Sequence, residues 1–153
     1  MLAELETALS IMETLQNEIL AEVEGLTAEE LNWIPPVAQT NSVFAIATHA
    51  AASQKWWICE NLAGQKIVRD REAEFKAQGQ TAADLRAAFD ETRQLTREIL
   101  AGLRPENLTE TRLVKGKIYT VRWIVYHVIE HTALHLGHIQ ITKQWIQEKR
   151  ISV

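Results

Sequence analysis

Apolar residues return every three or four positions through most of the chain, the period of an α-helix with one buried face. From about Leu2 to Glu24 the stripe is Leu5, Leu9, Met12, Ile19 and Val23, with Glu and Gln opposite and Gly25 as a stop. Thr27-Ala28-Glu29-Glu30 has capping-box spacing and predicts a single helical turn, ended by Pro35-Pro36. A second long helix is expected from one of the caps Thr40, Asn41 or Ser42 to about Leu62, before Gly64. Its inward face holds Ala45, Ile46, His49, Ala52, Ser53 and Trp56. The charged stretch Gln65–Gln80 lacks a clear period and reads mostly as loop, with room for helical turns. Thr81 caps a third helix to about Leu103, with Leu85, Phe89, Thr92, Ile99 and Leu103 inward, and Pro105 closes it. Two β-prone runs, Thr111–Val114 and Lys117–Thr120, flank Lys115-Gly116 and predict a small hairpin. The fourth and longest helix runs from about Val121 to Glu148.

Four amphipathic helices bury their stripes most simply by packing together, so the expected fold is an all-α four-helix bundle forming one domain over residues 1–153. The connections, about 15 residues or more, exceed those usual in bundles. Long loops over a bundle often cover a pocket.

Composition narrows the function classes. The net charge is −4, and no basic run is long enough to make a phosphate-binding surface, which argues against a nucleic-acid partner. The single cysteine, Cys59, cannot form an internal disulfide and fits a reducing cytosol. The N-terminus carries acid where a secretory signal carries base, and no apolar run approaches the roughly 20 residues that cross a bilayer. A cytoplasmic protein without a membrane partner is expected.

Four of the five histidines, His127, His131, His135 and His138, follow one another at spacings of four, four and three. On a helix they fall within an arc of roughly 80°, shared with Ile124, Val128, Leu134, Trp145 and Ile146, a composition expected of a buried face. Burying imidazoles without partners costs on the order of 1–3 kcal/mol per unsatisfied group, and a divalent metal is the simplest partner. His131 and His135, one turn apart, suit two positions of a tetrahedral ion. His49, on the apolar face of the second helix beside Ala45, Ala52 and Ser53, is the remaining histidine and the natural third ligand. His127 lies one turn before His131 and is an alternative to either member of the pair. Otherwise His127 and His138 are expected on the pocket wall, orienting ligands or relaying protons. Three imidazoles leave a coordination position open for water or substrate. The bland alternative is that each inward histidine is a core residue bonded to a carbonyl or carboxylate.

Other metal signatures are absent. His131-Thr132-Ala133-Leu134-His135 lacks the glutamate of HExxH metalloproteases, no Glu-x-x-His occurs, and one cysteine excludes thiolate clusters. Trp56 and Trp57 are expected to serve core and interface packing, with the floor of a pocket as the alternative for Trp56, two turns from His49. Glu130 is expected to be a surface charge, and Glu60 to lie far from His49 near the helix end. Cys59 is expected to face away and be inert. Tyr119 and Trp123 are candidates for shaping a substrate mouth.

The run from Tyr126 to Ile139, with its His-x3-His-x-Gly core, together with His49, the lead-in Thr120-Val121-Arg122-Trp123 and the segment Leu26–Leu31, resembles the DinB/YfiT-like superfamily of metalloenzymes over essentially the whole chain. The resemblance implies an up-and-down four-helix bundle in mirror-variant topology, binding nickel or zinc through His49, His131 and His135. Related branches place glutamate where His131 stands, which favours that position over His127. The resemblance also implies thiol S-transferases and isomerases using bacillithiol, mycothiol or glutathione, and a homodimer. No thiol-binding signature is evident in the chain. The leading expectation is a metal-dependent transferase joining a low-molecular-weight thiol to an electrophilic small molecule. The alternatives are a metal-dependent hydrolase and a non-catalytic stress-response or interaction bundle with a structural metal.

Overall fold

Each expected helix forms, and the expected caps Thr27, Ser42 and Thr81 each accept a backbone N–H. In a computed structural model, which describes residues 1–151, α1 spans Ala3–Val23, α2 Ala28–Asn32, α3 Val43–Lys55, α4 Arg71–Phe75, α5 Ala82–Ala101 and α6 Val121–Ile151. Of the single-domain span 1–153, Ser152 and Val153 lie outside the described residues. Thr27 and Glu30 close a reciprocal capping box on α2, and the Ser42 hydroxyl accepts from the Ala45 N–H to start α3. At Trp56 the helix widens into a π-helical turn, Trp56–Leu62, a feature frequent at functional sites. A 3₁₀ turn, Pro105–Thr109, precedes the antiparallel strands β1 (Thr111–Val114) and β2 (Lys117–Thr120). Lys115 and Gly116 form the connection, both with positive φ (50° and 81°), as a two-residue primed turn requires.

The four long helices make the bundle: α1 and α3 each pack on α5 and α6 and face one another across a diagonal. Ion pairs fix their directions. Glu4–Arg122 and Glu22–Lys143 align α1 and α6 in parallel, whereas Glu13–Arg97 and Glu24–Arg86 set α1 and α5 antiparallel. One apolar cluster joins the C-terminal half of α1 (Ile19, Val23) to the beginnings of α3 and α5 (Val43, Ala47, Leu85, Phe89), and the other joins Leu5 and Met12 to Ile58 and Leu100. The course along the chain is therefore up, down, down, up. Two consecutive passes in one direction require a return, and residues 63–81 supply it, running back along α3 with α4 in their middle. This strap is anchored where it rejoins the bundle: the Gly79 N–H donates to Asn32 Oδ1, and Asn32 Nδ2 donates to the Gly79 carbonyl. Each long connection carries an element of its own, which is how lengths atypical of bundles are accommodated.

Between the two apolar clusters lies a polar layer that the periodicity did not announce. Buried Gln16 donates to Gln54, Gln54 donates to Thr96, and Arg93 donates to Gln16, at 2.7, 3.0 and 2.7 Å. Every member is partnered, as a buried polar group requires.

The histidine face of α6 needs correction. The buried stripe is Val121, Ile124, Val125, Val128, Thr132, Leu136, Ile139, Thr142 and Ile146, whereas Leu134 and Trp145 are exposed at 56% and 39%. At 100° per residue His135 lies roughly 30° from the centre of that stripe, His131 roughly 70° and His127 roughly 110°, with Leu134 further round. The histidines thus run along the edge of the buried face rather than down its middle, and His138 is exposed.

Candidate active site

The helix edge and the strap together enclose three imidazoles. His49 from α3 and His131 and His135 from α6 each offer a nitrogen within 4.8 Å of the others. The Nε2 atoms of His131 and His135 are 3.2 Å apart. Two nitrogens at 2.0–2.1 Å from one tetrahedral ion are about 3.3 Å apart, so this pair already has the spacing of cis ligands. His127 does not join them: its ring lies 5.8 Å from that of His131, stacked 4.6 Å from Trp123, with Nδ1 facing Glu130 at 3.3 Å. His138 stands on the opposite flank, its ring 5.6 Å from that of His135.

The strap brings what the sequence reading missed. Glu74, on α4 and 6% exposed, accepts from His49 Nδ1 at 2.7 Å. Arg69 donates to the same carboxylate through Nε and Nη2, at 2.6 and 2.9 Å. Phe75 stacks on the His49 ring at 4.4 Å. With Nδ1 committed to Glu74, His49 presents Nε2 to the other two rings, the carboxylate–histidine arrangement that orients metal ligands. The one local signal for α4 was Asp70, whose side chain caps the turn at Ala73. A five-residue helix is too short for a 3.6-residue period to emerge.

Electrostatics favours neutral rings. Burial first, and the neighbouring imidazoles second, push His135 down to about 3 and His131 to about 4. His49 is also lowered, by burial, against an opposing pull from Glu74. Burial raises the Glu74 carboxyl, but hydrogen bonds from Arg69 and His49 outweigh it and hold the group below the ordinary carboxylate range. At neutral pH the site therefore holds three uncharged imidazoles with lone pairs available and one anchored carboxylate. Nδ1 of His135 is buried without a hydrogen-bond partner. Such an atom costs about 1–3 kcal/mol and calls for a reason to hold the ring in place. Donor set, spacing and protonation all fit a divalent cation.

Two hollows meet at this cluster. One, about 340 Å³, is bounded by His49, His131, His127, Trp56, Trp57 and Tyr119, with Arg69, Arg71, Lys115 and Lys117 around its edge. The other, about 360 Å³, lies on the His135 side between Ile46, Phe75, Ile141 and Trp145, with His138 at its rim. Trp56 and Trp57 are half-buried in the first hollow's wall, the alternative weighed for Trp56, while Trp57 also packs against Tyr119 and Trp123; the wider π-turn begins at Trp56. Glu60 is not remote from this wall, because it accepts from Trp56 Nε1 at 3.2 Å. Tyr119 lies in the wall and stacks on Trp123 at 4.0 Å, continuing the Trp123–His127 stack. Glu130 is a surface charge, and Cys59 is buried, with burial pushing its thiol up.

A helical bundle with one short hairpin, in which three imidazoles converge beside a cleft, is a frame that could hold a metal ion. The family model described as mycothiol-S-transferase matches residues 7–148, and the chain belongs to that DinB-like family. Among solved structures, a DinB-like protein from Bacillus cereus is similar with a TM-score of 0.73 at 16% identity, covering 94% of this chain and 91% of that one. A conserved protein from Enterococcus faecalis gives a TM-score of 0.73 at 15% identity, over 91% of this chain and 94% of that one. At such identities the likeness is one of fold. No curated protein matches the chain. Among the described residues no helix is long and apolar enough to cross a membrane.

Proposed function

We propose that the protein is a metal-dependent transferase that joins a low-molecular-weight thiol to an electrophilic small molecule. The observation that carries this reading is the convergence of His49, His131 and His135 beside an open cleft, in a chain of the mycothiol-S-transferase family. The three rings would hold a nickel or zinc ion, which when bound supplies the Lewis acidity that lowers a thiol's pKa.

The chain's own residues do the rest. Glu74 and Phe75 fix the His49 ring, so that no reorganisation is needed when ligands arrive. Trp56, Trp57 and Tyr119 bound the cleft and exclude water from one side of it. In the transfer the sulfur's electron pair forms the new S–C bond, and the bond it replaces departs with the leaving group. The thiol proton passes to an imidazole on the wall, His127 on one flank or His138 on the other. A reducing cytoplasm keeps such a thiol, and Cys59, in the required state. The homodimer implied by the resemblance is tested by sedimentation.

The test is elemental analysis of the purified protein with His49→Ala and His135→Ala variants, followed by conjugation assays with and without added thiol. One equivalent of nickel or zinc, lost in both variants, is expected, with turnover that requires thiol. Full metal retention by both variants refutes the ligand assignment. Hydrolysis of esters or amides without thiol replaces the transferase with a hydrolase.

A further inference from the structure

The cationic groups around the first hollow are unusual for this molecule. Among the lysines and arginines at positions 1–149, the stretch whose side chains the structure describes, every one is ion-paired except Lys66, Arg71, Lys115 and Lys117. Three of those four line one cleft, beside the three histidines, in a chain whose net charge is −4. Two are held in place by rings: Lys115 Nζ lies 4.8 Å from the centre of the Trp56 ring, and the Arg71 guanidinium 5.0 Å from that of Phe75. The left-handed turn at Lys115-Gly116 is what projects Lys115 over the wall. The fourth cation, Arg69, is already neutralised by Glu74. The acid facing this group is Glu60, in an adjoining recess with Arg71 and Lys115; its oxygens accept from Trp56 Nε1 and the Ile67 N–H, and it forms no ion pair with them. The hollow on the His135 side has no lysine or arginine in its wall.

We propose that the cationic cleft binds the carboxylate-bearing end of an anionic small thiol, leaving the apolar hollow on the His135 side to the electrophile. This rests on the thiol-transfer reading above. A site surrounded by unpaired cations gains most from an anionic ligand, which screens their mutual repulsion and accepts their hydrogen bonds. An uncharged thiol built on a sugar would cover them without compensation, and a greasy electrophile would desolvate them at a cost. The aromatic floor of Trp56, Trp57 and Tyr119 suits the ligand's uncharged middle, and the three imidazoles suit its sulfur.

The probe is S-methylglutathione, which carries two carboxylates but no free thiol, compared with its diethyl ester. Fluorescence of Trp56 and Trp57 reports occupancy of the cleft. Saturable binding of the acid is expected, weakened about fivefold or more by esterification and by the K115Q/K117Q double variant, as for loss of partly exposed ion pairs. R71Q, in a second element, should weaken it in the same direction, with circular dichroism confirming that each variant is folded. Equal binding of acid and ester, unchanged affinity in both folded variants, or no saturable binding of the acid overturns the assignment. Because the probe cannot be turned over, the two readings fail separately. Thiol-dependent conjugation without acid selectivity sinks the cleft assignment alone, and acid-selective binding without thiol-dependent turnover sinks the transfer reading alone.

Discussion

Glu74 lies 25 positions from His49 in sequence, yet its carboxylate accepts from His49 Nδ1 at 2.7 Å inside the protein. The acid is brought there by the strap between α3 and α5, and Arg69 holds it in a two-point grip. Replacing Glu74 with alanine removes the group that fixes the His49 ring and leaves Arg69 without its partner. Metal affinity should fall about 10–100-fold, measured by competition with a chromophoric chelator. Arg69→Ala should produce a smaller loss, because Glu74 keeps its bond to His49.

His127 and His138 flank the cluster without entering it, so alanine at either position should leave the metal content at that of the parent protein. If they move protons, His127→Ala or His138→Ala should lower kcat and flatten one limb of its pH profile while KM for the electrophile changes little. Loss of metal from His127→Ala would show instead that it is a ligand.

The metal-free protein should lose stability as pH falls from neutrality. Unfolded histidine titrates near 6.5, whereas burial holds folded His131 near 4 and His135 near 3. Between these limits the unfolded chain binds protons that the folded chain refuses, so the contribution is complete above about 6.5 and is lost as pH falls toward the folded values. Urea midpoints between pH 7.5 and 5 should therefore decline, and His135→Gln should flatten the decline. A midpoint unchanged across that range would contradict the burial of neutral rings.

Gly79 anchors the end of the strap. A Cβ built there would meet the Phe44 ring at 1.8 Å, and Phe44 is 6% exposed, so the ring has little room to yield. Gly79→Ala should cost about 1–3 kcal/mol, seen as a lower Tm. Gly137→Ala is the control: nothing lies within 4 Å of its Cβ position, and Tm should hold or rise.

Much of the scaffold was legible because it is written in long-period signals. Leu5, Leu9, Met12, Ile19 and Val23 all face the core as their spacing predicts, and the hairpin pairs Val114 with Lys117 as its turn residues require. The convergence of His49 on His131 and His135 was legible too, because a polar ring on an apolar stripe needs a partner. Three features escaped. Gln16 fell among the polar residues placed opposite the first stripe and Gln54 carried no expectation, since a glutamine satisfied by another glutamine on a different helix leaves no local trace. Leu134 was placed inside because the apolar residues of α6 extend around more than one face, and only packing decides where the stripe is centred. Glu74, Arg69 and Phe75 escaped because their positions depend on the return pass, a property of the whole topology rather than of any window of residues.

That return pass separates two tasks within one chain. The helices supply the nitrogens, while the group that tunes one of them, and Arg71 beside the cleft, ride on a segment outside the helical frame. The segment is tied at Gly79 and through Glu74 and Phe75 on His49, while Gln65, Lys66, Val68, Arg71 and Glu72 ahead of those ties are exposed and open to substitution. Selection or design can therefore retune ligand basicity and substrate charge preference by rewriting a short external stretch, with the load-carrying architecture left as it stands.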